Sequence, residues 1–326
     1  MPGPLIAVTD TVFPNLDAAR AIVSRIGAEL RLSKAPTPEA ILEVARDADA
    51  VLTTYAKLPA EVVQALTRCR IISRFGIGVD NVDLAAATSK GIVVTKVPDY
   101  CIDEVSDHAM ALLLAIVRKI PFSNTLVQAG RWEMPAVVPI RRLRGRTLGL
   151  VGFGRIPQLV APKAKAFGLK VVTYDPYVPK QVLAQAGVEH LEFKELLKVS
   201  DYISLHCPLT PETRHLFNAE VFSQMKPGSY LVNTGRGPLI DEAALAQALD
   251  KGQLAGAALD VVEKEPPSGS PILGRDNVIL TPHTAFYSEE SLLDLETKAA
   301  EEVVRVLSGK APLNPVNPEA VKPDTK

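Results

Sequence analysis

The stretch TLGLVGFGRIPQLVAPKAKAFGLKVVTYD, Thr147 to Asp175, decides how the rest of the chain is read. Leu148–Val151 is a short apolar run of the kind that forms a buried strand. Gly152 and Gly154 then allow a tight turn, a helical segment closes at Gly168, and Val171–Tyr174 forms a second strand. This is a βαβ unit of the length a dinucleotide fold requires. Its glycines let the backbone approach a pyrophosphate, whose charge is met by the N–H groups of Arg155 and Ile156 at the helix start. Asp175, about 20 residues beyond the glycines, is placed to accept hydrogen bonds from ribose hydroxyls and would repel a 2′-phosphate, so NAD is expected rather than NADP. One feature departs from the pattern: Pro157 replaces the third glycine or alanine, and Pro162 lies further along the same segment. Proline is tolerated in a first helical turn, but Pro162 would cost an interior hydrogen bond, which predicts a short or kinked helix.

Length and composition frame the rest. A chain of 326 residues suits two domains, and 47% hydrophobic with 22% charged residues is ordinary for a soluble globular protein. A net charge of −1 gives no reason to expect nucleic acid or a membrane surface as partner. Cys69, Cys101 and Cys207 are too few and too widely spaced for a disulfide frame or a metal knuckle, which fits a reducing cytoplasm. The opening MPGPLIAVTD is not built like a signal peptide, and the longest apolar run, Ala109–Val117, is too short to span a bilayer.

Strand and helix patterns alternate from the start: strands at Leu5–Val8, Ala50–Thr53, Arg70–Ser73 and Ile92–Val94, helices at Ala18–Ile26, Pro38–Arg46 and Ala60–Leu66. Such alternation argues for an α/β protein with a doubly wound parallel sheet ahead of the nucleotide segment. Within it, SRFGIGVDN (Ser73–Asn81) carries Gly76 and Gly78 in a turn at a strand's carboxyl end. There, backbone donors with Arg74 nearby suit a carboxylate or phosphate, although a plain glycine turn reads the same. Asp103 is expected to cap an apolar helix, Glu104–Lys119, buried between domains or subunits. After that helix comes a loop with Trp132 and the basic cluster Arg141, Arg142, Arg144 and Arg146, and a second doubly wound sheet begins at Thr147. The last helix runs from about Ser288 to Leu307.

Three residues emerge after apolar strands of this second sheet: Arg236 in NTGRGP, Glu265 in DVVEKEPP and His283 in LTPHTA. Oxidation or reduction at a carbon bearing oxygen needs a proton exchanger, a cation to polarise the carbonyl and a carboxylate to orient the imidazole, and these are the right types for the three roles. Asp260, ending the LAGAALD strand, has two readings: acceptor for a nicotinamide carboxamide, or cap of a loop.

Taken together, RFGIGVDNVD, GIVVTKVPDYCIDEVSDHA, LGLVGFGRI, HCPLTPETRHL, MKPGSYLVNTGRGPLIDEAAL, ALDVVEKEPP and LTPHTAFYSEES resemble the D-isomer-specific 2-hydroxyacid dehydrogenase family, over about residues 45–308. The resemblance implies an NAD-binding Rossmann domain (103–285) inserted into a discontinuous, flavodoxin-like substrate domain (1–102 with 286–326), and a homodimer made through the nucleotide domains. It implies Arg236 as binder of substrate carboxylate and carbonyl, His283 as acid/base with Glu265 as its partner, and Ile77 and Gly78 as backbone donors to the carboxylate. For NAD it points to Arg155, Ile156, Asp175, Cys207, Thr234 and Asp260, besides Gly152 and Gly154. The expected substrate is a small 2-hydroxy or 2-keto acid. The resemblance of RFGIGVDNVD to the phosphoglycerate dehydrogenase subgroup offers 3-phosphoglycerate as alternative, with Arg74 on the phosphate. Because the chain stops at Lys326, the regulatory domain of many such enzymes is not expected. VPDYCIDEVSDHA and HTAFYSEES also resemble the C-terminal-binding-protein branch, which includes NAD-sensing corepressors.

Overall fold

The computed structural model describes residues 3–321; the outermost residues of the expected substrate domain, 1–2 and 322–326, lie outside it. The chain divides into two compact units, Met1–Tyr100 with Ser288–Lys326, and Cys101–Tyr287.

In the first unit β1 (Leu5–Val8), α1 (Asp17–Val23), β2 (Glu29–Leu32), α2 (Pro38–Ala45), β3 (Ala50–Thr53), α3 (Ala60–Ala65), β4 (Ile71–Arg74), α4 (Leu84–Ser89) and β5 (Val93–Thr95) succeed one another along the chain. The strands form one parallel sheet in the order β2-β1-β3-β4-β5, the flavodoxin-like winding. β3 and β4 are buried along their whole length because helices cover both sheet faces, which is why they read as unbroken apolar runs. The edge strand β2, ELRL, has only Leu30 buried, and its charged alternation hid it in the sequence.

The second unit opens with α5 (Ile102–Val117) and α6 (Ile120–Gln128), then builds β6 (Thr147–Val151), α7 (Arg155–Ala166), β7 (Lys170–Tyr174), α8 (Lys180–Ala186), β8 (Glu189–His190), α9 (Phe193–Val199), β9 (Tyr202–Leu205), α10 (Ala219–Gln224), β10 (Ser229–Asn233), α11 (Glu242–Asp250), β11 (Leu254–Leu259) and β12 (Val278–Leu280). All seven strands are parallel, in the order β12-β11-β10-β9-β6-β7-β8, so the winding reverses between β6 and β9. This is the Rossmann arrangement, whose ligand crevice lies at that reversal. Two apolar cores, centred on Phe217, Leu231 and Leu245 and on Leu113, Phe153 and Val160, flank the sheet.

The structure corrects two expectations. α5 begins at Ile102, and its N-cap is Cys101 without a side-chain bond; Asp103 lies inside the first turn, where its charge favours the helix dipole. Ala109, Met110, Leu113, Ile116 and Val117 of this helix pack into the second unit's own core against α7. The segment between α5 and β6 is not all loop: Lys119 turns left-handed (φ 53°) and α6 starts with Pro121 in its first turn, where a missing N–H costs nothing.

α12 (Glu289–Leu307) starts at Ser288, whose side chain and that of Ser291 form a capping box. It packs in the first unit on α1 and β4, with Ser73 Oγ donating to Ala299 O at 3.0 Å. Among the described residues no single helix is long and apolar enough to cross a membrane.

Candidate active site

The glycine turn sits at the winding reversal of the second sheet. Gly152 has φ 94°, and a Cβ there would come within 2.9 Å of Cys207 N and His206 C, so only glycine lets the turn after β6 pack on the turn after β9. Gly154 differs: φ is −72°, and no heavy atom lies within 4 Å of where its Cβ would stand. The protein leaves that space open beside the first N–H groups of α7, Arg155 and Ile156, a cradle suited to a phosphate. Pro157 falls in the first turn and is buried; α7 nevertheless runs 12 residues with Pro162 inside it, so it is not cut short.

Asp175 Oδ2 accepts from Phe153 N at 2.7 Å, and Oδ1 from Tyr177 N at 2.8 Å and Val178 N at 3.1 Å. The carboxylate ties the glycine turn to the end of β7 and stays part-exposed. Cys207 lies against Gly152, and burial pushes its thiol up to about 11, so it serves as apolar packing rather than as a nucleophile. Thr234 Oγ1, just after β10, is buried without a hydrogen-bond partner among the described residues. An unsatisfied hydroxyl costs about 1–3 kcal/mol, so this one is poised for a ligand. The open space at Gly154, the oriented Asp175 and the orphaned Thr234 fit a dinucleotide.

β10, β11 and β12 deliver the three chemical candidates. Asn233 shapes the Arg236 turn, donating from Nδ2 to Arg236 O at 2.8 Å and accepting at Oδ1 from Gly235 N at 2.9 Å. Glu265 Oε2 lies 2.8 Å from His283 Nδ1, and its Oε1 accepts from Val262 N at 3.3 Å. A carboxylate only accepts, so Nδ1 carries the hydrogen. Burial pushes the Glu265 carboxyl up, but the bond and charge of His283, the Val262 N–H and the Arg236 guanidinium outweigh it and hold it below its ordinary value. Arg236 and His283 are therefore both within electrostatic reach of Glu265.

His283 adopts a left-handed backbone (φ 53°), a conformation that costs a side-chain-bearing residue about 1–2 kcal/mol. Asp260 holds it there. His283 N donates to Asp260 O at 2.9 Å, while the Asp260 carboxylate, only 2% exposed, accepts from Thr281 Oγ1 at 2.6 Å, Thr284 N at 2.9 Å and Ala285 N at 2.9 Å. Of its two sequence readings, the loop cap is the one the geometry displays.

The first unit carries the other candidates. Arg74 ends β4, is 8% exposed and lies over the Tyr55 ring, 5.9 Å from its centroid. Gly76 takes φ 148°, a backbone conformation that strains any residue bearing a side chain, and lies against the Arg74 guanidinium. Ile77 and Gly78 come next, part-buried, in the turn beyond β4. Asp10, which sequence reasoning missed, fixes the neighbouring turn by accepting from Thr54 N and Tyr55 N at 3.0 and 2.7 Å. An acid two residues past the end of β1 was its one visible signal.

Residues 110–285 match the model of the D-isomer specific 2-hydroxyacid dehydrogenase NAD binding domain. The chain is 42% identical to the D-3-phosphoglycerate dehydrogenase of Methanocaldococcus jannaschii over 96% of its own length and 59% of that protein's. It is 39% identical to the glyoxylate reductase of Korarchaeum cryptofilum over 88% of both. The chain belongs to the D-isomer-specific 2-hydroxyacid dehydrogenase family. Among solved structures, the D-lactate dehydrogenase of Aquifex aeolicus complexed with NAD and lactic acid matches with a TM-score of 0.86 at 30% identity, covering 96% of this chain and 99% of that one. The family membership makes the second unit's Rossmann sheet an NAD-binding domain, and NAD is the cofactor. The chain spans about three fifths of the length of the phosphoglycerate dehydrogenase it matches.

Proposed function

We propose that the protein is an NAD-dependent oxidoreductase interconverting a D-2-hydroxy acid and its 2-keto acid. The observation that carries this is the His283–Glu265 pair, held at the carboxyl edge of a Rossmann sheet with Arg236 near enough to depress the Glu265 carboxyl. NAD(H), when bound at Gly152–Ile156, Asp175, Cys207 and Thr234, supplies or takes up the hydride. Arg236 binds the substrate carboxylate and polarises the carbonyl. His283, with Nδ1 committed to Glu265, exchanges the hydroxyl proton through Nε2, and the Glu265 carboxylate stabilises the ring when it is charged. The N–H groups of Ile77 and Gly78 are the first unit's candidates for the carboxylate, and Asp260 keeps the loop of His283 in place.

The test is NADH oxidation against glyoxylate, hydroxypyruvate, pyruvate, longer 2-keto acids and 3-phosphohydroxypyruvate. Turnover that falls by about 10²–10⁴ in His283→Ala and Arg236→Ala, with NADH binding kept, is the expected result. No turnover by the native protein despite tight NADH binding overturns the reading. A second reading, 3-phosphoglycerate as substrate, is favoured by the 42% identity to a phosphoglycerate dehydrogenase and by the buried Arg74. Turnover with the phosphorylated keto acid alone would establish it.

Assembly as a homodimer through the second unit belongs to the same proposal. Ile120, Val127, Trp132 (89% exposed), Met134 and Val138 present apolar surface along one segment of that unit, more than a monomer gains from exposing. A cytoplasmic setting is supported by the three cysteines, which form no disulfide.

A further inference from the structure

We propose that His108, on α5, is a positioning residue for His283, acting through Thr281 and Asp260; the proposal rests on the reading of His283 as the acid/base. Thr281 Oγ1 donates its single hydrogen to Asp260 Oδ1 at 2.6 Å. The same oxygen lies 3.0 Å from His108 Nε2 and has nothing left to give, so it accepts, and His108 carries its hydrogen on Nε2. His108 Nε2 also stands 3.5 Å from Asp260 Oδ1, adding favourable charge beneath that carboxylate whenever the ring is protonated. The chain of bonds ends at the Thr284 and Ala285 N–H groups, which come directly after His283 and fix its left-handed backbone.

His108 therefore does something its surroundings do not otherwise supply. Asp260 is 2% exposed, and its side-chain partners are Thr281 and, at longer range, His108. Thr281 without His108 is free to turn its hydroxyl toward another acceptor; with His108 donating, its hydrogen must point at Asp260. α5 is held in turn by α7, where Lys163 Nζ meets Ser106 Oγ at 2.6 Å and the Asp107 carboxylate at 2.5 Å. The helix after the glycine turn thus supports, through α5, the loop that carries the acid/base.

The experiment compares His108→Leu, which removes the donor, with His108→Gln, whose side-chain amide restores an N–H at similar reach. His108→Leu lowers kcat about tenfold while KM for the keto acid and Kd for NADH stay within about twofold, the mark of a misplaced group rather than lost binding. His108→Gln recovers most of kcat. Thr281→Val lowers kcat in the same way, and the double variant His108→Leu/Thr281→Val is no worse than Thr281→Val alone, because the two act as one chain. Hydrogen exchange of the Thr284 and Ala285 amides, read in the protein without cofactor, accelerates in His108→Leu and not in His108→Gln. Equal losses in the two His108 variants, a Kd for NADH that rises in step with the fall in kcat, or unaltered exchange at Thr284 and Ala285 overturns the proposal. Should the native protein turn over no keto acid, the proposed function fails on its own account, and the exchange comparison alone decides whether His108 holds this loop.

Discussion

Alanine at Gly152 and alanine at Gly154 separate what the fold needs from what the ligand needs. At Gly152 the new methyl forces a side chain into φ 94°, about 1–2 kcal/mol. It also places Cβ 2.9 Å from Cys207 N and His206 C. Those are backbone atoms, which cannot rotate away, and the turn is pinned by Gly152 N→Tyr174 O at 2.8 Å and His206 N→Val151 O at 2.8 Å. Overpacking of this kind adds about 1–3 kcal/mol, so Gly152→Ala is expected to lose about 2–5 kcal/mol of stability in all, together with NADH binding. At Gly154 the methyl meets nothing within 4 Å and φ is −72°. Stability then changes by about 1 kcal/mol or less in either direction, a weaker N-cap set against a stiffer unfolded chain. Yet the methyl occupies the space a pyrophosphate would use, and NADH affinity falls tenfold or more, about 1.4 kcal/mol. Denaturant unfolding and NADH fluorescence titration read the two quantities separately. If Gly154→Ala binds NADH like the native protein, or Gly152→Ala unfolds at the native midpoint, the assignment of the two glycines is wrong.

Asp260→Asn turns one of two buried acceptor oxygens into a donor facing an N–H or a hydroxyl, and a loss of about 2–4 kcal/mol is expected in the denaturant midpoint; an unchanged midpoint refutes the loop-cap role. Glu265 has a lowered pKa in the folded protein, so its contribution is present above the ordinary carboxylate range and disappears as pH falls through the lowered value. At 40% side-chain exposure this amounts to no more than about 1 kcal/mol, and melting curves of native protein and Glu265→Gln should converge in acid; a gap that widens there contradicts the sign. Burial pushes the His206 imidazole down to about 4 from its usual 6.5, so the unfolded chain binds the extra proton between those values. Stability should decline as pH drops through that window, and His206→Gln should flatten the decline; an identical slope in the variant rules His206 out as its source. Trp132→Glu should shift the sedimentation of a dimer toward monomer, while a native protein that sediments as a monomer removes the homodimer from the proposal.

Much of the architecture was legible because parallel sheets covered on both faces demand continuous apolar strands. β1, β3, β4, β6 and β9 announce themselves in this way, and the glycine turn after β6 marks the crevice. Elements with less to bury were harder to see. β2 and the two-residue β8 lie at sheet edges with charged residues in them, and α4 is six residues of mostly small side chains. α6 is hard to see for another reason: a proline just past an apolar helix suits the stop of that helix as well as the first turn of another, and here the left-handed Lys119 breaks the chain and Pro121 begins the next helix. Pro162 does not shorten its helix, since one missing interior hydrogen bond does not stop a helix whose Val160, Ala161 and Ala164 are buried in the core.

The candidate site divides along the same physical line. Arg236, Glu265 and His283 could be picked out because chemistry restricts each role to a few residue types, and strand ends restrict where they stand. The side chains that hold them could not. Whether Asp260 faced a ligand or capped a loop depended on where Thr284 N and Ala285 N point, and that is set by the left-handed turn at His283, which no local pattern in LTPHTA requires of a non-glycine residue. His108 was further out of reach, lying 173 positions from Thr281 in an apolar helix read only for its packing. A residue that reacts is visible by its type, but one that positions is visible only by its partner. The sequence of a family member therefore indicates what reaction is attempted sooner than it indicates how well the reacting groups are held, and rate differences among enzymes with the same three residues should be sought in bonds such as that between His108 and Thr281.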